Sequence, residues 1–189
     1  MTPTSYDAVV LAGGRARRMG GVDKTRLEVA GVALLDRVLL ALSPDADVVV
    51  VGDERPTVRP VQWTCEQPIH SGPAAAVAAA LPRVARDQVV LLAGDLPLLT
   101  AEFVERLVAS TTDDRGAVPV DDEDFPQWLC SAWPSALLRS VDWSRGSSLR
   151  GCLGGLPFHR LAVDGESGAT PNWVDCDTPE DLERAREKS

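Results

Sequence analysis

The sequence predicts an α/β fold with a doubly wound, mostly parallel sheet in one domain, 1–189, and three observations carry that prediction. Short apolar runs of strand length recur at 8–11, 48–51 and 89–92, and a further strand reads at 61–64. The clearest of them are continuous, not alternating, which is the pattern of strands covered on both faces. Helical spacing or helix-forming composition fills most of the intervals, and that alternation is what a parallel sheet with crossover helices requires.

Taken in order, the first run leads into a loop rich in glycine and arginine that ends at Lys24. Residues 27–32 read as an extended excursion turning at Gly31, and 34–42 as a helix. The second strand ends at Gly52-Asp53, and a polar, proline-bearing connection over 53–60 leads to the third. Gly72-Pro73 opens an alanine-rich helix running to about Arg86, with proline in the first turn where its missing N–H costs nothing. Pro82 inside that run predicts a kink or an early end. The fourth strand delivers Gly94-Asp95-Leu96-Pro97, and Thr100 offers an oxygen to the free N–H groups of the next helix. Further on, 117–120 and 128–133 read as strands either side of a solvated acidic turn at 121–124. Residues 134–141 and 148–153 read as helical, and 158–163 and 173–175 as late strands. A terminal helix starts at Thr178-Pro179-Glu180-Asp181-Leu182, with proline at its first position and acids in its first turn.

Composition excludes several function classes. With 44% apolar and 25% charged residues the chain is that of a globular protein. No apolar run approaches the ~20 residues that span a bilayer, so no membrane role is expected. The first residues lack both the basic start and the apolar core of a signal peptide, and the expected location is cytoplasmic. Cys65, Cys130, Cys152 and Cys176 are scattered without a CxxC pair and read as free thiols. A net charge of −9 argues against nucleic acid as a partner. Against that acidic background, 15–26 is a basic island, suited to a small anion held locally.

That island coincides with the glycines. Gly13, Gly14, Gly20 and Gly21 let successive backbone N–H groups approach an anion, and Arg15, Arg17, Arg18 and Lys24 bring positive charge to the same place. The loop is therefore read as a phosphate cradle at the carboxyl end of the first strand, where α/β folds bind ligands. It is neither a Walker loop nor a GxGxxG fingerprint. Asp95 leaves the fourth strand toward the same crevice, and a hard carboxylate there suits Mg²⁺ bridging nucleotide phosphates. Asp175 and Asp177, one residue apart, are further acids for that site, although a helix-capping role explains Asp177 equally well. His70 and His159 have no metal-ligand or triad spacing and read as incidental.

In the stretch from Leu11 to Lys24, Leu-Ala-Gly-Gly, Arg-Met-Gly and Asp-Lys follow one another as in the nucleotidylyltransferases that build dinucleotide forms of the molybdenum cofactor. The chain resembles most closely the molybdenum cofactor guanylyltransferases, and the resemblance extends more thinly over most of its length. It implies a fold of the nucleoside-diphosphate-sugar-transferase type. It also implies transfer of GMP from GTP to molybdenum-molybdopterin, giving molybdopterin guanine dinucleotide and pyrophosphate. Carried over residue by residue, it makes Arg18, Lys24 and Asp95 catalytic. Leu11, Ala12, Gly13, Gly14, Lys24, Glu66 and Asp95 become the nucleotide-binding residues. Asp95 is then the Mg²⁺ ligand, with Asp177 and secondarily Asp175 beside it. Molybdoenzymes or cofactor-insertion proteins are the implied protein partners. Gly72-Pro73 matches the family's GPxxG turn only in its first half, since Ala76 stands at the second glycine. Residues 126–130 resemble an acceptor-side segment, and Ser147, Ser148 and Arg150 could meet an acceptor phosphate; a core strand and a capped surface helix are the competing readings. Cytidylyl transfer to the same pterin, or nucleotidyl transfer to a sugar 1-phosphate, is the rival chemistry, and a non-catalytic nucleotide-binding regulator is the rival class. The Leu-Ala-Gly-Gly start favours guanylyl transfer, because cytidylyl relatives more often carry Leu-Ala-Ala-Gly.

Overall fold

In a computed structural model, the structure describes residues 5–13, 24–145, 148–162, 171–176, 181–183 and 186, the side chain of Arg145 excepted. The strands are β1 (Asp7–Leu11), β2 (Glu28–Val29), β3 (Val32–Ala33), β4 (Val48–Val51), β5 (Gln62–Thr64), β6 (Gln88–Ala93), β7 (Gly116–Pro119), β8 (Cys130–Pro134) and β9 (Phe158–Leu161). The helices are α1 (Leu34–Leu40), α2 (Pro73–Ala80), α3 (Ala101–Ala109), α4 (Ser135–Arg139) and α5 (Leu149–Leu153).

Among the described residues, seven strands form one sheet in the order β5-β4-β1-β6-β8-β7-β9, and β2 and β3 form a separate small hairpin. β1 is parallel to both β4 and β6, and β5 to β4. β8 runs against its neighbours β6 and β7. The apolar runs are continuous because each face of the sheet has its own core. Ala8, Val10, Val50, Val90 and Leu92 pack with α1 and α3 on one side. Val9, Leu11, Val49, Leu91 and Trp133 pack with α2, Leu138 of α4 and α5 on the other. α2 ends at Ala80 and tightens into a 3₁₀ turn, Leu81–Arg83, at the proline that was expected to break it. The Thr100 hydroxyl caps α3 by accepting the Phe103 N–H at 3.2 Å.

Two expectations fail. Residues 173–175 form no strand: the Val174 N–H closes a turn on the Pro171 carbonyl at 3.3 Å, and the flanking residues bond to the loop after β6, with the Asn172 side-chain amide donating to the Leu98 carbonyl at 2.9 Å and the Cys176 N–H to the Asp95 carbonyl at 3.2 Å. Trp128 and Leu129 precede β8 instead of beginning it, because the Cys130 N–H closes a turn on the Gln127 carbonyl at 3.0 Å.

Candidate active site

From β1 the chain steps outward through β4 to β5, then returns to place β6 on the other side of β1. Ligands of open α/β sheets bind where the order reverses in this way, beyond the carboxyl ends of the strands. A cavity of about 570 Å³ lies there. Leu11 and Gly13 after β1, Val51 of β4 and Ala93 of β6 contribute to its wall.

Gly94 explains how the ends of β1 and β6 come so close. Its N–H donates to the Leu11 carbonyl at 2.9 Å. A Cβ at this position would stand 3.2 Å from that carbonyl oxygen, 3.3 Å from the Ala12 Cα and 3.1 Å from the Thr25 methyl carbon. Asp95 follows, half-buried, and faces the cavity. The hydrogen bonds of Asn172 and Cys176 to the loop after β6 bring Asp175 to the same wall.

Cys176 registers the local field. Its thiol is 1% exposed and is pushed up to about 11, first by burial and then by the charges of Asp95, Asp181 and Asp175, with Lys24 opposing them. Lys24, Asp95 and Asp175 all line the same cavity. Lys24 opens a 3₁₀ turn, Lys24–Arg26, whose Thr25 hydroxyl accepts a hydrogen bond from Arg55. The Arg55 guanidinium carbon in turn lies 5.7 Å from the centre of the Trp63 ring. Across the cavity, Glu66 accepts the His70 N–H on Oε1 at 2.9 Å.

Of the residues singled out in the sequence, Leu11, Gly13, Lys24, Glu66, Asp95 and Asp175 share one cavity wall. Ala12 is buried and donates its N–H to the Val51 carbonyl at 2.9 Å, so it supports the wall without forming part of it. Gly14, Arg15, Arg17, Arg18, Gly20, Gly21, Ser147 and Asp177 lie outside the described residues. Ser148 caps α5 by accepting the Gly151 N–H at 3.2 Å, in keeping with the capped-helix reading. Thr25, Val51, His70 and Ala93 in the wall and Arg55 behind Thr25 were not placed in the site from the sequence, whereas Leu129 in the wall falls in the 126–130 segment read as acceptor-side. Thr25 adjoins Lys24 and His70 sits between Glu66 and Gly72, but nothing in the spacing marks Arg55.

The carboxylates present suit Mg²⁺, which takes one or two of them and completes its octahedron with water and phosphate oxygens. Asp95 and Asp175 supply that pair among the described residues.

Residues 8–156 match the family model of the MobA-like NTP transferase domain. The chain belongs to this family. As a MobA-like NTP transferase it is a nucleotidyltransferase. It is similar, at 33% identity, to a probable molybdenum cofactor guanylyltransferase of Natronomonas pharaonis, over 95% of this chain and 96% of the relative. The molybdopterin-guanine dinucleotide biosynthesis protein A from Archaeoglobus fulgidus has a similar structure, with a TM-score of 0.71 at 22% identity over 96% of this chain and 97% of that one. The 2-C-methyl-D-erythritol 4-phosphate cytidylyltransferase from Thermus thermophilus gives 0.68 at 19% identity over 97% and 98%. At these identities the structural likeness concerns the fold alone, and the fold does not choose the base.

Proposed function

We propose that this chain, acting as one unit over 1–189, transfers GMP from GTP to molybdenum-molybdopterin. The products are molybdopterin guanine dinucleotide and pyrophosphate. The observation that carries this reading is the cavity in which Lys24, Asp95 and Asp175 meet, with Glu66 at its other end. The name of the 33%-identical relative supports the guanylyl assignment and the pterin acceptor.

The chemistry needs little beyond binding and charge. A phosphate monoester has a second pKa of about 6 and is anionic at neutral pH, so the attacking pterin phosphate requires no side chain to remove a proton. Its oxygen attacks the α-phosphorus in line, the bond to the β-phosphate breaks, and pyrophosphate leaves with the electron pair. Lys24 and Arg18 offset the charge that grows on the leaving group. Gly13 and Gly14 let the backbone follow the phosphates, Leu11 lies against the nucleoside, and Glu66 accepts from its base. Asp95, with Asp175 or Asp177, would hold Mg²⁺, which supplies charge compensation on the phosphate oxygens.

GTP as donor and the free thiols of all four cysteines fit a cytoplasmic setting. Among the described residues no helix is long and apolar enough to cross a membrane. Molybdoenzymes or cofactor-insertion proteins would take up the product. Base choice is tested by measuring kcat/KM for GTP and CTP with the molybdenum-loaded pterin. A site that hydrogen-bonds one base edge leaves its polar groups unpaired with the other, so GTP should win clearly. Equal or better use of CTP replaces the guanylyl reading with the cytidylyl one.

A further inference from the structure

The loop between β5 and α2 holds an unusual residue. His70 has φ of +68°, in the left-handed region that side chains other than glycine seldom occupy. Glu66 stabilises this conformation by accepting the His70 N–H on Oε1 at 2.9 Å, and the Ser71 hydroxyl ties the same loop to the Pro68 carbonyl. His70 is exposed and belongs to the cavity wall, and among the described residues its imidazole nitrogens have no hydrogen-bond partner. A costly backbone conformation at an aromatic residue in the wall of a ligand cavity calls for a function.

Position indicates which function. The His70 loop follows β5, whereas Asp95 follows β6, and β4 and β1 lie between them. That is three strand spacings, roughly 14 Å. With phosphates at the Lys24 and Asp95 end, the nucleoside extends toward Glu66 and His70. The wall between the two ends includes Leu11, Val51, Pro73 and Ala76, an apolar lining suited to a flat ring.

We propose that His70 is a stacking platform for the base of the bound nucleotide, and that Glu66 positions it by fixing the loop. This rests on the nucleotidyltransferase reading and gives Glu66 a second role beside its contact with the base. Stacking on a flat side chain tolerates different bases, so His70 contributes affinity and leaves base choice to other groups.

The test is calorimetric titration of the full chain with GTP and, separately, with inorganic tripolyphosphate, alongside thermal melting. His70→Gly removes the ring and suits the backbone, so it should weaken GTP binding about tenfold. It should leave tripolyphosphate binding unchanged and Tm unchanged or raised. His70→Asn, which also tolerates the left-handed conformation, should show the same selective loss, and His70→Phe, which keeps a ring, should retain most of the affinity. Wild-type GTP affinity in both His70→Gly and His70→Asn would overturn the proposal. So would an equal loss for tripolyphosphate, which would put His70 on the phosphates. Should the wild-type chain prefer CTP, the guanylyl reading fails, and the same variants titrated with CTP still decide the role of His70.

Discussion

Lys24 and Asp95 line a half-buried, strongly charged corner of the cavity, and each can be altered without touching the apolar core. Lys24→Ala should lower kcat/KM for GTP at least about tenfold, on the order of 1.4 kcal/mol of transition-state stabilisation, with little change in Tm. Unaltered kinetics in that variant would remove Lys24 from the site. Asp95→Asn keeps the shape and removes the charge, so the Mg²⁺ concentration for half-maximal turnover should rise at least about tenfold, with excess Mg²⁺ restoring part of the rate. Unchanged Mg²⁺ dependence would make Asp95 a turn-forming residue and not a metal ligand. The thiols give an independent check on the surrounding structure. Cys65 is exposed and should react with iodoacetamide first, whereas buried Cys130 and Cys176, both pushed up by burial, should resist labelling near pH 8 until the chain is unfolded. Labelling of Cys176 as fast as Cys65 would contradict its seat beside Asp95.

At the scale of elements, β1, β4 and β6 were legible because burial on both faces makes them continuous apolar runs, and Thr100 and Pro82 marked helix ends through simple backbone chemistry. The 173–175 segment was not legible. Its apolar Trp173 packs against Phe103 at 5.7 Å between ring centroids, yet Val174 closes a turn on Pro171 and the flanking Asn172 and Cys176 bond to a loop and not to a strand edge, a tertiary choice that local pattern does not encode. The loop after β6 depends on Gly94, where an added methyl meets the backbone of Leu11 and Ala12. Gly94→Ala should therefore cost about 1–3 kcal/mol through overpacking. For a chain of this size that is a fall of several degrees in Tm. Turnover should drop further than stability alone explains, because Asp95 is the next residue. A variant as stable and as active as the wild type would show that this close approach is not required.

Over the whole molecule, the cavity assembles segments remote in sequence, from Leu11 to Asp175, at one edge of the sheet. Residues that carry charge or follow a strand directly, such as Lys24, Glu66 and Asp95, could be read from the sequence for that reason. Arg55 could not, since it acts through the Thr25 hydroxyl and leaves no trace in spacing, and His70 read as incidental because its place between Glu66 and Gly72 shows in the sequence but its left-handed backbone does not. The fold is shared with a cytidylyltransferase, so architecture alone does not settle the reaction. The most direct test incubates the full-length protein with Mg²⁺, molybdenum-molybdopterin and GTP, CTP, ATP or UTP in turn, and follows both pyrophosphate and the mass of the pterin product. GTP should give pyrophosphate in step with molybdopterin guanine dinucleotide, and only when the acceptor is present. Binding of GTP without pyrophosphate release would identify a non-catalytic nucleotide binder, and a dinucleotide formed preferentially from another nucleotide would contradict the guanylyl assignment.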